Sequence, residues 1–114
     1  MNYELQAVQK FQADFDAAHE GAVPFLERIS AENPEALEHL VVCLAGEVGE
    51  LANIAKKIRR GDAPYSESLE KIIDETSDIF AYLLKVANQV GFDLGSAYYK
   101  KMERNKTRFA GFEK

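Results

Sequence analysis

The residues with the most chemistry in them are four carboxylates in two short motifs, Gly46-Glu47-Val48-Gly49-Glu50 and Asp74-Glu75-Thr76-Ser77-Asp78. The acids of each pair, Glu47 with Glu50 and Glu75 with Asp78, stand three residues apart, which on a helix places them on one face, a turn from each other. Like charges at that spacing repel, so neither pair helps an isolated helix. Glu50 and Glu75 share a midpoint between Asp62 and Ala63, and so do Glu47 and Asp78. That midpoint falls inside Gly61-Asp62-Ala63-Pro64, a stretch with the composition of a turn. If antiparallel helices flank the turn, the four acids form two level rungs between them. Carboxylates gathered in this way need a compensating cation to stay ionised. The donors are all oxygen and no histidine stands at a ligand spacing, which favours Mg²⁺, with Mn²⁺ as a substitute, over Zn²⁺ or Cu²⁺. A di-iron site would want Glu-x-x-His pairs, and Glu50 and Asp78 occupy those positions instead. Mg²⁺ leaves positions open for water and phosphate oxygens, so the chemistry suggested is hydrolysis of a phosphate ester or anhydride.

Neighbouring positions add candidates for substrate contact. The stripe that carries Glu75 and Asp78 continues to Tyr82 and Lys85, and that of Glu47 and Glu50 continues to Ile54 and Lys57. Farther along, Lys101, Asn105 and Arg108 share a face, and a cation, an amide and a guanidinium together suit phosphate oxygens or a ribose. Gly46 and Gly49, with Ala45 and Ala52, make a strip of small residues in a helix interior, open to close approach by a backbone or ligand. Taken alone, a Glu pair on a helix is an ordinary solvated face. Two pairs in register across a turn are not.

The elements that must position these residues are helical. Apolar residues recur at helical spacing and no segment keeps a strand-like alternation. A first helix is expected over about 2–19, with Leu5, Val8, Phe11, Gln12 and Phe15 on one face. A second begins after Asn33, a suitable N-cap, with Pro34 at its first position, and ends near Arg60 with Gly61 as its left-handed cap. Ser66 is placed to cap a third helix that ends near Gly91, and Asp93 or Ser96 a fourth that reaches about Phe109. The expected core is Leu37, Leu40, Val41, Leu44, Leu51, Ile58, Leu69, Ile72, Ile73, Ile79, Phe80, Leu83 and Leu84. The fold class is therefore all-α: a four-to-five-helix bundle whose two long antiparallel helices carry the acids, with 1–109 as one domain and 110–114 as a tail.

The whole chain agrees with this. It has 114 residues, 46% hydrophobic and 29% charged, which is a globular composition and a single-domain length. A net charge of -5 argues against nucleic acid as the main partner, because binding its backbone takes an excess of Lys and Arg. One cysteine, Cys43, allows no internal disulfide, and neither a signal-peptide core nor a membrane-spanning run is visible, so a cytoplasmic setting is expected.

The stretches LAGEVGELANIAKKIRRGD, LEKIIDETSDIFAYLLKVANQVGFDL and KMERNKTRF resemble the MazG-like all-α nucleoside triphosphate pyrophosphohydrolases from about Leu40 to Phe109. The resemblance implies hydrolysis of a nucleoside triphosphate to monophosphate and pyrophosphate with Mg²⁺, possible house-cleaning of non-canonical or excess nucleotides, and a homodimer or homotetramer. It puts Glu47, Glu50, Glu75 and Asp78 at metal-ligand positions, with Glu47 or Glu50 as general base. It also implies Tyr82 near the substrate, Lys101 and Asn105 as a phosphate- or sugar-contacting pair, and Lys57 or Arg108 against the phosphates. The N-terminal third, with Phe11, Gln12, Phe15, His19 and Phe25, would help to form the base pocket. The competing reading is a non-catalytic helical dimerisation module whose acidic stripe meets a basic partner.

Overall fold

The computed structural model describes residues 4–114, so the start of the first expected helix, at Asn2, lies outside the described residues. Four α-helices follow in order: α1 (Leu5–Ala17), α2 (Pro34–Arg60), α3 (Tyr65–Val90) and α4 (Leu94–Arg108), then a 3₁₀ turn at Ala110–Phe112. No strand occurs among the described residues, and the all-α class holds. The turn between α2 and α3 is built as its composition suggests. Gly61 takes φ 82°, its N–H donates to the Ile58 carbonyl, and the Asp62 N–H donates to that of Lys57. This pair of bonds satisfies the helix's last free carbonyls and reverses the chain. Pro64, extended at ψ 144°, then lets α3 begin at Tyr65, so Ser66 lies within the first turn and is not the cap. The hydroxyl that reaches back is that of Ser68, which donates to the Pro64 carbonyl.

Two other caps can be compared. Asp93 opens α4, its Oδ2 accepting from the Ser96 N–H at 2.8 Å. Asn33 precedes Pro34 as expected, but its side chain does not cap α2: Oδ1 accepts from the Ser30 N–H and hydroxyl, and Nδ2 donates to the Arg28 carbonyl. Pro34 brings no N–H of its own, and the amide is spent on folding the 28–33 turn instead.

α2 and α3 form a long hairpin, and α1 lies against α3 and α4. The apolar core is smaller than the periodicity suggests. Ala36, Leu40, Leu84 and Ala87 are its fully buried members. Leu44, Leu51, Ile58, Ile72 and Ile79 are half-buried, while Leu37, Val41, Leu69, Ile73, Phe80 and Leu83 are exposed. A two-helix hairpin with one docked helix can enclose only the stripe between its members, so the outer flanks of α2 and α3 stay open.

The same correction applies to α1. Its most buried side chains are Gln9 and Asp16, whereas Phe11 and Phe15 are exposed. The helix docks by polar bonds. Gln9 Nε2 donates to the Phe92 carbonyl, Gln9 Oε1 accepts from the Leu94 N–H, and Asn88 donates to the Gln9 carbonyl. The irregular stretch 18–33 is held similarly by Gln89, whose amide donates to the Phe25 carbonyl and accepts from the Glu27 N–H; the Gln89 carbonyl also accepts from the Ile29 N–H.

Candidate active site

The hairpin register decides what the acids can do. Glu47 on α2 and Glu75 and Asp78 on α3 each present a carboxylate oxygen, and the three oxygens lie within 4.8 Å of one another. Glu50 is exposed and stands outside that trio, but its carboxyl reaches Glu75. A hydrogen bond from Glu47 foremost, then burial and the Glu50 carboxyl, push the Glu75 pKa from 4.5 up to about 7. A carboxyl bonded to a carboxyl has to hold a proton between them, which is how a cation-free cluster relieves its crowding. Asp78 is also raised, first by burial and then by Glu47, Asp74 and Glu50. One oxygen of Glu47 and one of Glu75, Oε2 in each, are buried without a hydrogen-bond partner. Orphaned acceptors of this kind, in an all-oxygen set, fit a hard divalent cation such as Mg²⁺.

Two members of the trio, Glu47 and Asp78, line a cavity of about 760 Å³, whose walls also include Tyr82, Phe11, Phe15 and Phe25. Tyr82 is half-buried, and burial first, then the Cys43 thiol and the two acids, hold its hydroxyl above its ordinary pKa. His39 shares the wall, its Nε2 3.8 Å from Cys43 Sγ. His19 stacks between Phe15 and Phe25, at 4.2 and 5.8 Å between ring centres. Gln12 lines the cavity as well, its amide directed at Asp16.

The other candidates lie elsewhere. Lys57 is exposed in the last turn of α2, and Lys101, Asn105 and Arg108 stand on α4, which packs against α1; none of the four lines the cavity. Asn105 donates to Met102 Sδ, and the Arg108 guanidinium sits over the Phe109 ring at 5.0 Å. The strip at Gly46 and Gly49 is open: a Cβ added at either would meet nothing within 4 Å, so among the described residues none makes the expected close approach. Asp16 is the residue that sequence reasoning passed over. Its signal was a carboxylate four residues after Gln12 and seven after Gln9, a polar line on the helix beside Phe11 and Phe15.

Acids facing each other across an all-α hairpin, above an aromatic-walled cavity, define a helical protein with a candidate cation site. The chain belongs to the MazG nucleotide pyrophosphohydrolase domain family, whose model matches residues 35–110, that is, nearly all of α2 and the whole of α3 and α4. The family suggests a hydrolase acting on nucleotides. α1 and the whole 18–33 stretch, which supply about half of the cavity lining, lie outside the match. Searches of curated proteins and of solved structures return no match.

Proposed function

We propose that this protein is a Mg²⁺-dependent nucleoside triphosphate pyrophosphohydrolase that releases a monophosphate and pyrophosphate, with Mn²⁺ as a possible substitute. The observation that carries the reading is the acid trio, with two partnerless buried oxygens and with two of its members, Glu47 and Asp78, lining a cavity of about 760 Å³. Glu47, Glu75 and Asp78 would hold the cation, which supplies charge neutralisation on the triphosphate and the departing pyrophosphate. Glu50, exposed beside the trio, is left free to act as general base. In this scheme Glu50 takes the proton of the water whose oxygen bonds to the α-phosphorus, while the bond from that phosphorus to the bridging oxygen breaks. Tyr82 borders the sugar. Lys57, Lys101, Asn105 and Arg108 face phosphates only if a neighbouring copy brings them, which agrees with a homodimer or homotetramer. Among the described residues no helix is long and apolar enough to cross a membrane, and we assign the protein to the cytoplasm without a nucleic-acid partner. A non-catalytic interaction module would account for the exposed apolar flanks but not for the orphaned oxygens.

The test is turnover of a panel of canonical and modified nucleoside triphosphates with Mg²⁺ or EDTA. Monophosphate and pyrophosphate, lost in EDTA, are expected. Diphosphate with orthophosphate, or no product from any triphosphate, would overturn the reading.

A further inference from the structure

The cavity wall carries a charge pair that helix docking leaves half explained. Asp16 on α1 is 1% exposed and lines the cavity. Its Oδ1 takes both the Lys85 ammonium, at 2.9 Å, and the Gln12 amide, at 3.0 Å. Its Oδ2 is equally buried and has no partner. A buried ion pair serves as a structural tie when its remaining lone pairs are satisfied, and this one has an acceptor left over. Lys85 also lines the cavity, 15% exposed, with its ammonium 5.2 Å from the centre of the Phe25 ring and 5.9 Å from that of Tyr82. Along α3 it follows Asp78 by seven residues, about 10 Å of helix axis, roughly the length of a nucleotide from its innermost phosphate to the far edge of its base. Phe11 and Phe15, 65% and 46% exposed, line the same cavity and offer faces on which a flat ring can stack.

We propose that Asp16 and Lys85 read the base of the nucleotide. Oδ2 of Asp16 accepts an N–H of the base's pairing edge, and Lys85 donates to the acceptor beside it, with the ring against Phe11 and Phe15. The substrates are then nucleotides whose pairing edge is unblocked, and the carboxylate that requires it stands on α1, outside the family match. This rests on the pyrophosphohydrolase reading for the placement of the phosphates at the acid trio.

The experiment compares wild type, Asp16→Asn and the double variant Asp16→Leu/Lys85→Met, in which an apolar pair replaces the buried ions and keeps the helices docked. Each is assayed on dATP, dCTP, dGTP, dUTP and N3-methyl-dUTP with Mg²⁺, and titrated calorimetrically with their non-hydrolysable α,β-methylene analogues. Helical circular dichroism checks folding. For wild type, N3-methyl-dUTP is expected to be at least tenfold poorer than dUTP in kcat/KM. In both variants that N3-methyl penalty should shrink at least tenfold, through a KM for dUTP that rises towards that of N3-methyl-dUTP. An equal loss on dUTP and N3-methyl-dUTP, or an unchanged penalty, would overturn the proposal and leave the hydrolase reading standing. Tighter binding of the dUTP analogue than of its N3-methyl counterpart, lost in the variants, without cleavage of any triphosphate would do the reverse: it would uphold the base reading and sink the hydrolase.

Discussion

Glu75 ties the acid cluster to pH. Raised to about 7, its carboxyl keeps its proton in the cation-free protein at pH values where an ordinary glutamate is ionised. Between its ordinary 4.5 and about 7 the folded state holds that proton more tightly than the unfolded chain does. The resulting stabilisation is complete below the ordinary value and is lost as pH rises through about 7. Asp78, raised as well, acts in the same direction. The melting temperature in EDTA should therefore fall between about pH 5 and about pH 8, and Mg²⁺ should restore it at the upper end. A melting temperature that climbs over that range would refute the raised Glu75 pKa. Glu50 differs from its neighbours in standing outside the trio. Glu50→Gln should lower kcat by about 10²-fold or more while Mg²⁺ affinity stays within about tenfold. Asp78→Asn should weaken Mg²⁺ itself, which calorimetry separates from turnover. The approach of Glu47 to Asp78 and Glu75 was legible in the sequence, because equal distance from a glycine-proline turn fixes register, but the fourth expected acid, Glu50, stands outside the trio. The ion pair of Asp16 was not, because a carboxylate on a line with Gln9 and Gln12 reads as a solvated position until its partner, 69 residues away, is in place.

The helices themselves were also legible, since Pro34, Gly61, Gly91 and Asp93 mark their ends by backbone chemistry that does not depend on packing. What decides the docking of α1 and the 18–33 stretch is long-range and polar, and no periodicity reports it. Gln89 is the clearest case. Buried on α3 and 4% exposed, it brackets the backbone at Phe25 and Glu27 through both ends of its amide. Gln89→Leu keeps the helix and the volume but strands a carbonyl and an N–H, at a cost of about 1–3 kcal/mol. Because Phe25 is a cavity wall, KM should rise while kcat changes little. Thermal melts and steady-state kinetics together check this. A loss confined to stability would make Gln89 a fastening without bearing on the substrate.

The whole chain is less compact than its length allows. Its radius of gyration is 17.1 Å, against about 13 Å for a compact domain of this size. The excess has a chemical counterpart in the exposed Val41 and Val48 of α2 and Leu69, Ile73, Phe80 and Leu83 of α3, a pair of apolar flanks of the kind that mark an interface. All of these but Val48 were expected in the core from their spacing, and an assembly of copies would bury them. Light scattering should give a mass at least twice 12.8 kDa, and Ile73→Asp with Phe80→Asp should lower it without loss of helicity. If assembly also completes the site, the acids come from one copy and Lys101, with its α4 neighbours, from another. Asp78→Asn and Lys101→Ala proteins would each be inactive alone. In a mixed dimer one site inherits both defects and the other neither, so equal mixing and re-equilibration should recover about a quarter of wild-type turnover. A site contained within one chain recovers nothing on mixing, and that outcome would return Lys101, Asn105 and Arg108 to the solvated face of α4.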